Sequence, residues 1–203
     1  MVAFVSLLRG LLLSVLLIVT AACNESVASG AAPLPEYDRA IFGGWADLDG
    51  DCQSTRHERL ADLSTGQITF SDDRCRVVRG RWLDPYTGRI FQNSGDLDID
   101  HVVPLAWAWK HGAFDWPEAQ RIAFANDPAN LFAVDDSTNQ SKGAKGPLEW
   151  LPPNKQFHCE YVTRFWRIVI RYHFALSSVE KASHVISGSN QIVSEPRRLS
   201  ALL

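Results

Sequence analysis

No charge of one sign dominates this 203-residue sequence: 20 Lys and Arg stand against 23 Asp and Glu, a formal net charge of −3. That balance excludes a histone-like or polybasic binder that works through net charge. No repeat of the 20–50-residue kind is visible, which excludes solenoids and propellers. No apolar run reaches the ~20 residues that a spanning helix needs. Cysteine is scarce, with four residues and no C-x-x-C pair, so the usual zinc site is excluded. Strand patterns do not alternate with long crossover helices, which argues against a doubly wound sheet. What is present is 46% hydrophobic residues and seven Trp, enough for a buried core. The length suits one domain plus a leader.

The leader is the first positive feature. From Leu11 to Ala22 the chain runs uncharged, and Arg9 is the only charge before it. A run this short, ending in small residues, reads as the core of a secretory signal peptide. Thr20-Ala21-Ala22-Cys23 resembles a bacterial lipoprotein cleavage site, although Thr20 stands where Leu is usual. Lipidation of Cys23, with a membrane anchor in the cell envelope, is favoured over simple release after Ala22. The expected organisation is a signal peptide over 1–22, a tether over 23–35, one domain over 36–187 and a loose tail over 188–203. In an oxidising compartment a disulfide is expected. Cys52 and Cys75 flank one helix–strand unit and are the expected pair, which leaves Cys159 buried or free.

Along the domain, Thr55-Arg56-His57-Glu58 reads as a capping box, opening a helix to Leu63. Strands are expected over Gln67–Ser71, Arg76–Leu83 and Gly88–Gln92, with a turn at Asp84–Gly88. Another is expected over Leu97–Val103, then helices over Leu105–His111 and Pro117–Ala125. A short strand, Asn130–Val134, leads into a helix over Asp136–Lys142. The longest helical pattern is Phe157–Ala175, with Tyr161, Phe165, Ile168 and Tyr172 on one face. A last helix over Val179–Ile186 completes an α+β class.

The chemistry concentrates in Asp98-Ile99-Asp100-His101-Val102-Val103-Pro104, Asn130 and Asn139-Gln140-Ser141-Lys142-Gly143. Asp100 and Asn139 offer hard oxygen ligands that suit Mg²⁺ or Mn²⁺. His101 can accept a proton near neutral pH. A metal and a base around one phosphate are the parts needed for phosphodiester hydrolysis. Asp98 lies two residues from Asp100 and shares its face of the strand, either behind the metal or solvated. Lys142 either touches a phosphate or lies on a solvated helix face.

This constellation resembles the HNH endonucleases, the ββα-metal or His-Me finger superfamily. Trp82–Gly88, His111–Ala113, Phe124–Pro128 and Trp150–Asn154 are similar to segments of exported bacterial proteins of that type. With Asp47–Leu60 and Cys159–Val162, the similarity spans about Trp45 to Phe174. The resemblance implies a ββα-metal core over about 96–143, with an N-terminal helix and β-hairpin extension and a long C-terminal helix. It implies one divalent cation, Mg²⁺ before Mn²⁺, on Asp100 and Asn139. His101 would be the general base and Asn130 the loop brace, with 5′-phosphate products. Relatives of this kind often carry a late Cys that would partner Cys159; residues 187–203 hold none.

Three function classes follow. The first is an exported, metal-dependent nuclease of low sequence specificity, acting on DNA before RNA and expected to be a monomer. The lack of a zinc finger or helix-turn-helix carries the low specificity. The second is a non-catalytic envelope binding module on the same scaffold. The third is a calcium-stabilised lipoprotein, since Asp47, Asp49, Asp51 and Glu58 occupy positions 1, 3, 5 and 12 of an EF-hand-type loop. There Cys52 stands where the sharp turn needs Gly, which argues against Ca²⁺. Five Trp (107, 109, 116, 150 and 166) suit a core better than base stacking. Finally, charge is segregated. Residues 23–138 carry 10 basic and 19 acidic residues, and residues 139–203 carry 9 and 4. The basic excess begins at Asn139.

Overall fold

Short apolar segments around one long amphipathic helix build this chain, seen in a computed structural model that describes residues 33–183. The leader, Cys23, most of the tether and the tail lie outside the described residues. From Pro35 onward the described chain forms one unit. A 3₁₀ turn, Arg39–Phe42, precedes helix α1, Thr55–Leu63. Strands β1 (Thr69–Phe70), β2 (Val77–Leu83) and β3 (Ile90–Asn93) form an antiparallel three-stranded sheet in the order β1-β2-β3. Strand β4 (Leu97–His101) leads into α2 (Leu105–Lys110) and α3 (Glu118–Ala125). Strand β5 (Leu131–Asp135) returns antiparallel to β4, and α4 (Asp136–Lys142) follows it directly. Helix α5, His158–Arg171, is the longest, and residues 178–183 are helical again. The class is α+β, and β4, β5 and α4 together make a two-strand, one-helix unit.

Period-two alternation sets which side chains of β4 go where. Leu97 and Ile99 join Leu60, Trp82 and Leu131 in a core between α1 and the sheets. Asp98 and Asp100 stand opposite Val134 and Phe132 of β5. Phe132 and Val134 belong to a second core with Phe42, Trp109, Tyr161 and Phe165. Each large side chain buried there contributes roughly 1.5–3 kcal/mol. Helix α5 supplies Tyr161, Phe165, Ile168 and Val169 to it at helical spacing. Trp107, Trp109 and Trp166 are buried, and Trp116 and Trp150 pack partly buried against the same cluster.

Several boundaries differ from the sequence expectation for definite reasons. Strand β4 stops at His101 because the Val102 and Val103 N–H groups donate to the Asn130 backbone carbonyl and side chain. Pro117 is the N-cap of α3 and not its first residue. Phe157 closes a 3₁₀ turn before α5, and Tyr172 caps its end. The capping box does not form: Ser54 is the N-cap, and Thr55 turns its hydroxyl to the Ala46 carbonyl at 2.9 Å. In β2, Gly80 is required by close approach, because a Cβ there would lie 2.6 Å from the Trp82 ring. Cys52 and Cys75 form a disulfide, tying the start of α1 to β2. Cys159 is free and exposed, so the alternative of a buried thiol is corrected.

Candidate active site

Where β4 ends and α4 begins, Asp100, His101 and Asn139 line one cleft of about 360 Å³. Period two alone would send Asp100 and His101 to opposite faces. The turn into Pro104 lets both border the same space, and Asn130 holds that turn. Its Oδ1 accepts from Val103 N–H at 2.8 Å, and its Nδ2 donates to the Val103 carbonyl at 3.2 Å. Asn130 is fully buried.

His101 is buried, and its ring stacks on Trp45 with centroids 5.2 Å apart and planes 3° apart. Its Nε2 lies 2.8 Å from the Ala125 carbonyl oxygen. A carbonyl can only accept, so Nε2 carries the proton and the neutral ring keeps its lone pair on Nδ1. Among the described residues no hydrogen bond engages Nδ1. Burial pushes the imidazole down to about 3, while the nearby charges of Arg39 and Lys142 act in the same direction and the Ala125 carbonyl opposes them. His101 is therefore neutral at physiological pH.

Asp100 is held from behind. Its Oδ2 accepts from the Tyr86 hydroxyl at 2.6 Å, and the Lys142 ammonium lies 2.9 Å from Oδ1 and 2.8 Å from Oδ2. Lys142 also donates to the His101 carbonyl at 2.7 Å and is 0% exposed. Two hydrogen bonds thus hold the ammonium, to Asp100 Oδ1 and the His101 carbonyl, with Asp100 Oδ2 at ion-pair distance. Burial pushes the Asp100 carboxyl up and the Lys142 ammonium down, and their mutual attraction opposes both shifts. Neither a solvated helix face nor a direct phosphate contact is open to Lys142 in this arrangement. Asn139 donates from Nδ2 to Asp98 Oδ2 at 3.0 Å, which leaves the amide oxygen unengaged among the described residues.

Helix α4 positions both Asn139 and Lys142, and each end of it is fixed. Asp135 caps the start, accepting from the Thr138 N–H at 2.9 Å and from the Ser137 and Thr138 hydroxyls. Gly143 ends it with φ +54 and ψ −127, a conformation that suits only glycine. The Ser137 and Thr138 hydrogen bonds hold the Asp135 carboxyl below the usual carboxylate range. A depressed carboxylate stabilises the fold above its unfolded-state pKa, and that contribution is lost as pH falls through the folded value. Asp135→Ala is accordingly expected to cost about 1 kcal/mol at pH 7. In urea titrations the difference from the parent should shrink in acid, below pH ~4. A difference that stays constant down to pH 3 would contradict the charged cap.

Three residues of this site were not singled out in the sequence: Tyr86, Trp45 and Arg39. Tyr86 sits in the Asp84–Gly88 turn and Trp45 opens the stretch of family similarity, so both lay in marked segments without an assigned role. Arg39 carried no signal. Away from the cleft, the Asp47, Asp49 and Asp51 carboxylates lie within 4.8 Å of one another. All three are engaged in their own loop: Asp47 accepts from the Gly50 and Cys52 N–H groups, Asp49 from Asp51 and Asp51 from Gln53.

Comparison with known proteins finds a family and a relative that cover most of the described chain. The family model for the C-terminal domain of GmrSD restriction endonucleases matches residues 54–183, from the start of α1 to the end of the described chain. A protein of Arthroderma benhamiae, described as an uncharacterized secreted protein, is 36% identical over 171 residues, covering 81% of this chain and 82% of its own length. No solved structure matches. Since the family model covers α1, both sheets, the cleft strands and α5, this chain belongs to the family of the GmrSD restriction endonuclease C-terminal domain.

Proposed function

We propose that the chain is an exported, metal-dependent nuclease that hydrolyses phosphodiester bonds with low sequence specificity. The observation that carries the reading is His101: a neutral imidazole whose Nε2–H is fixed by the Ala125 carbonyl, with Nδ1 unengaged, beside Asp100 and Asn139 in one cleft. That is the form a general base needs before it meets its proton.

The donor set fits a hard divalent cation. Asp98 holds the Asn139 amide by its nitrogen, which frees the oxygen, and the Asp100 oxygens keep lone pairs beyond those used by Tyr86 and Lys142. Asp100 and Asn139 would hold the ion, Mg²⁺ before Mn²⁺. Once bound, it supplies positive charge to the phosphate oxygens and the leaving 3′ oxygen. The chain's own residues do the rest. His101 accepts the proton of the attacking water at Nδ1 while Trp45 and the Ala125 carbonyl keep the ring from turning. An imidazole held so low is a weak base alone, and the negative charge of an incoming phosphate draws its proton affinity up. Tyr86 and Lys142 fix the Asp100 carboxylate, Asp98 orients Asn139, and Asn130 keeps the His101–Pro104 turn in shape.

Export belongs to the same proposal. Its support is the apolar leader before Cys23 and the description of the Arthroderma benhamiae relative as secreted. Lipidation of Cys23 is the finer form of that proposal, and DNA is favoured over RNA as substrate.

One observation favours the alternative of a non-catalytic binding module: Lys142 already neutralises Asp100 without a metal. Metal removal separates the two. Residues 24–203 incubated with DNA and RNA across Mg²⁺, Mn²⁺, Ca²⁺ and Zn²⁺ are expected to cleave with Mg²⁺ or Mn²⁺. EDTA should stop the reaction and added Mg²⁺ restore it. Binding without cleavage under every metal would favour the module.

A further inference from the structure

The same cleft is lined by one more charged side chain, Arg39, contributed by the segment that precedes α1. Its mount is rigid although its guanidinium is exposed. Asp38 caps the turn by accepting from the Ala40 N–H at 2.8 Å. Phe42, three residues on, is fully buried against Trp109 and Phe124, each with ring centroids 6.4 Å away. Gly43 closes the turn at φ +79, where a Cβ would lie 2.9 Å from Ile122. Backbone and anchor are therefore fixed, and the side chain has little freedom beyond its own rotamers.

Arg39 also lacks a partner of opposite charge. Among the described residues no carboxylate lies within ion-pair distance of it. It borders the same cleft as Asp100 and His101. Lys142, the other cation near Asp100, is buried behind the carboxylate and committed to it. Arg39 shares one hydrogen bond with the Tyr37 side chain, which also lines the cleft, and its remaining guanidinium N–H groups make it the cation there that is open to an anion. A guanidinium fork matches two oxygens of a phosphate at once.

We propose that Arg39 binds a phosphodiester of the nucleic-acid strand in the cleft, setting that phosphate beside His101. The inference rests on the nuclease reading of the cleft and adds to it a phosphate-binding residue from outside the segment that the family match covers, which begins at residue 54.

The test is a salt titration of binding in EDTA, by fluorescence anisotropy with a short labelled DNA duplex. Wild type, Arg39→Ala and Arg39→Lys are compared. Loss of one phosphate contact should flatten the slope of log K against log salt by about 0.9 in Arg39→Ala. Arg39→Lys should restore the slope, because it keeps the charge, without restoring the full affinity of a two-point contact. With Mg²⁺, Arg39→Ala should raise KM more than it lowers kcat. Because Arg39 is exposed and has no ion-pair partner, the melting temperatures of the three proteins should agree. If wild type binds and cleaves while Arg39→Ala keeps the full slope and KM, this inference falls and the nuclease reading stands. If wild type neither binds nor cleaves, both fall.

Discussion

Replacing Lys142 by Met is expected to destabilise the fold by about 3–5 kcal/mol, the usual result of stripping one partner from a buried ion pair. The ammonium makes contacts of 2.9 and 2.8 Å to Asp100 and 2.7 Å to the His101 carbonyl, with none of the side chain exposed. Met matches the aliphatic stem but leaves a buried carboxylate with the Tyr86 hydroxyl as its remaining partner. Burial already pushes the Asp100 carboxyl up with Lys142 in place, so loss of the ammonium should push it further up. Removing both charges, in Asp100→Asn with Lys142→Met, should recover part of the loss because no lone charge is left inside. The pair also links stability to metal. A divalent ion that binds Asp100 replaces the missing charge, so saturating Mn²⁺ should raise the melting temperature of Lys142→Met more than that of wild type. A variant as stable as wild type would contradict the ion pair. Equal Mn²⁺ shifts in the two proteins would contradict Asp100 as a ligand.

His101→Ala is expected to lower cleavage by two to four orders of magnitude, the range for loss of a positioned general base. The same change removes a ring stacked on Trp45 and the donor to the Ala125 carbonyl, so a stability cost of roughly 1–3 kcal/mol should accompany it. Activity must therefore be compared well below both melting temperatures. Nucleic-acid binding in EDTA is the internal control. It depends on phosphate contacts and should survive the substitution, which separates lost chemistry from lost structure. Added imidazole should partly restore activity by serving as the base in the vacated space beside Trp45.

Much of the unit that carries the site was legible in the sequence because its signals are local. Alternation in Leu97–His101, turn residues at Asp84–Gly88 and the apolar spacing of α5 each act over a few residues. The Cys52–Cys75 bridge was legible for the same reason, as it joins the ends of one helix–strand unit. Lys142 illustrates what was not. On a short polar helix, a lysine reads as solvated or phosphate-facing. Only the packing of α4 against β4, 42 residues earlier in the chain, reveals it as the counter-charge of Asp100. Tyr86 and Trp45 follow the same rule: each reaches a β4 residue through a tertiary contact that no local period encodes. The Thr55 box failed through competition, since its hydroxyl found the Ala46 carbonyl before the helix N-terminus.

The most direct measurement is plasmid nicking by wild type and His101→Ala, side by side in Mg²⁺, at a temperature where both are folded. Rapid, EDTA-sensitive nicking by wild type and at least a hundredfold slower nicking by the variant is the expected result. Equal nicking by the two proteins, or none by wild type with any divalent ion, would contradict the account.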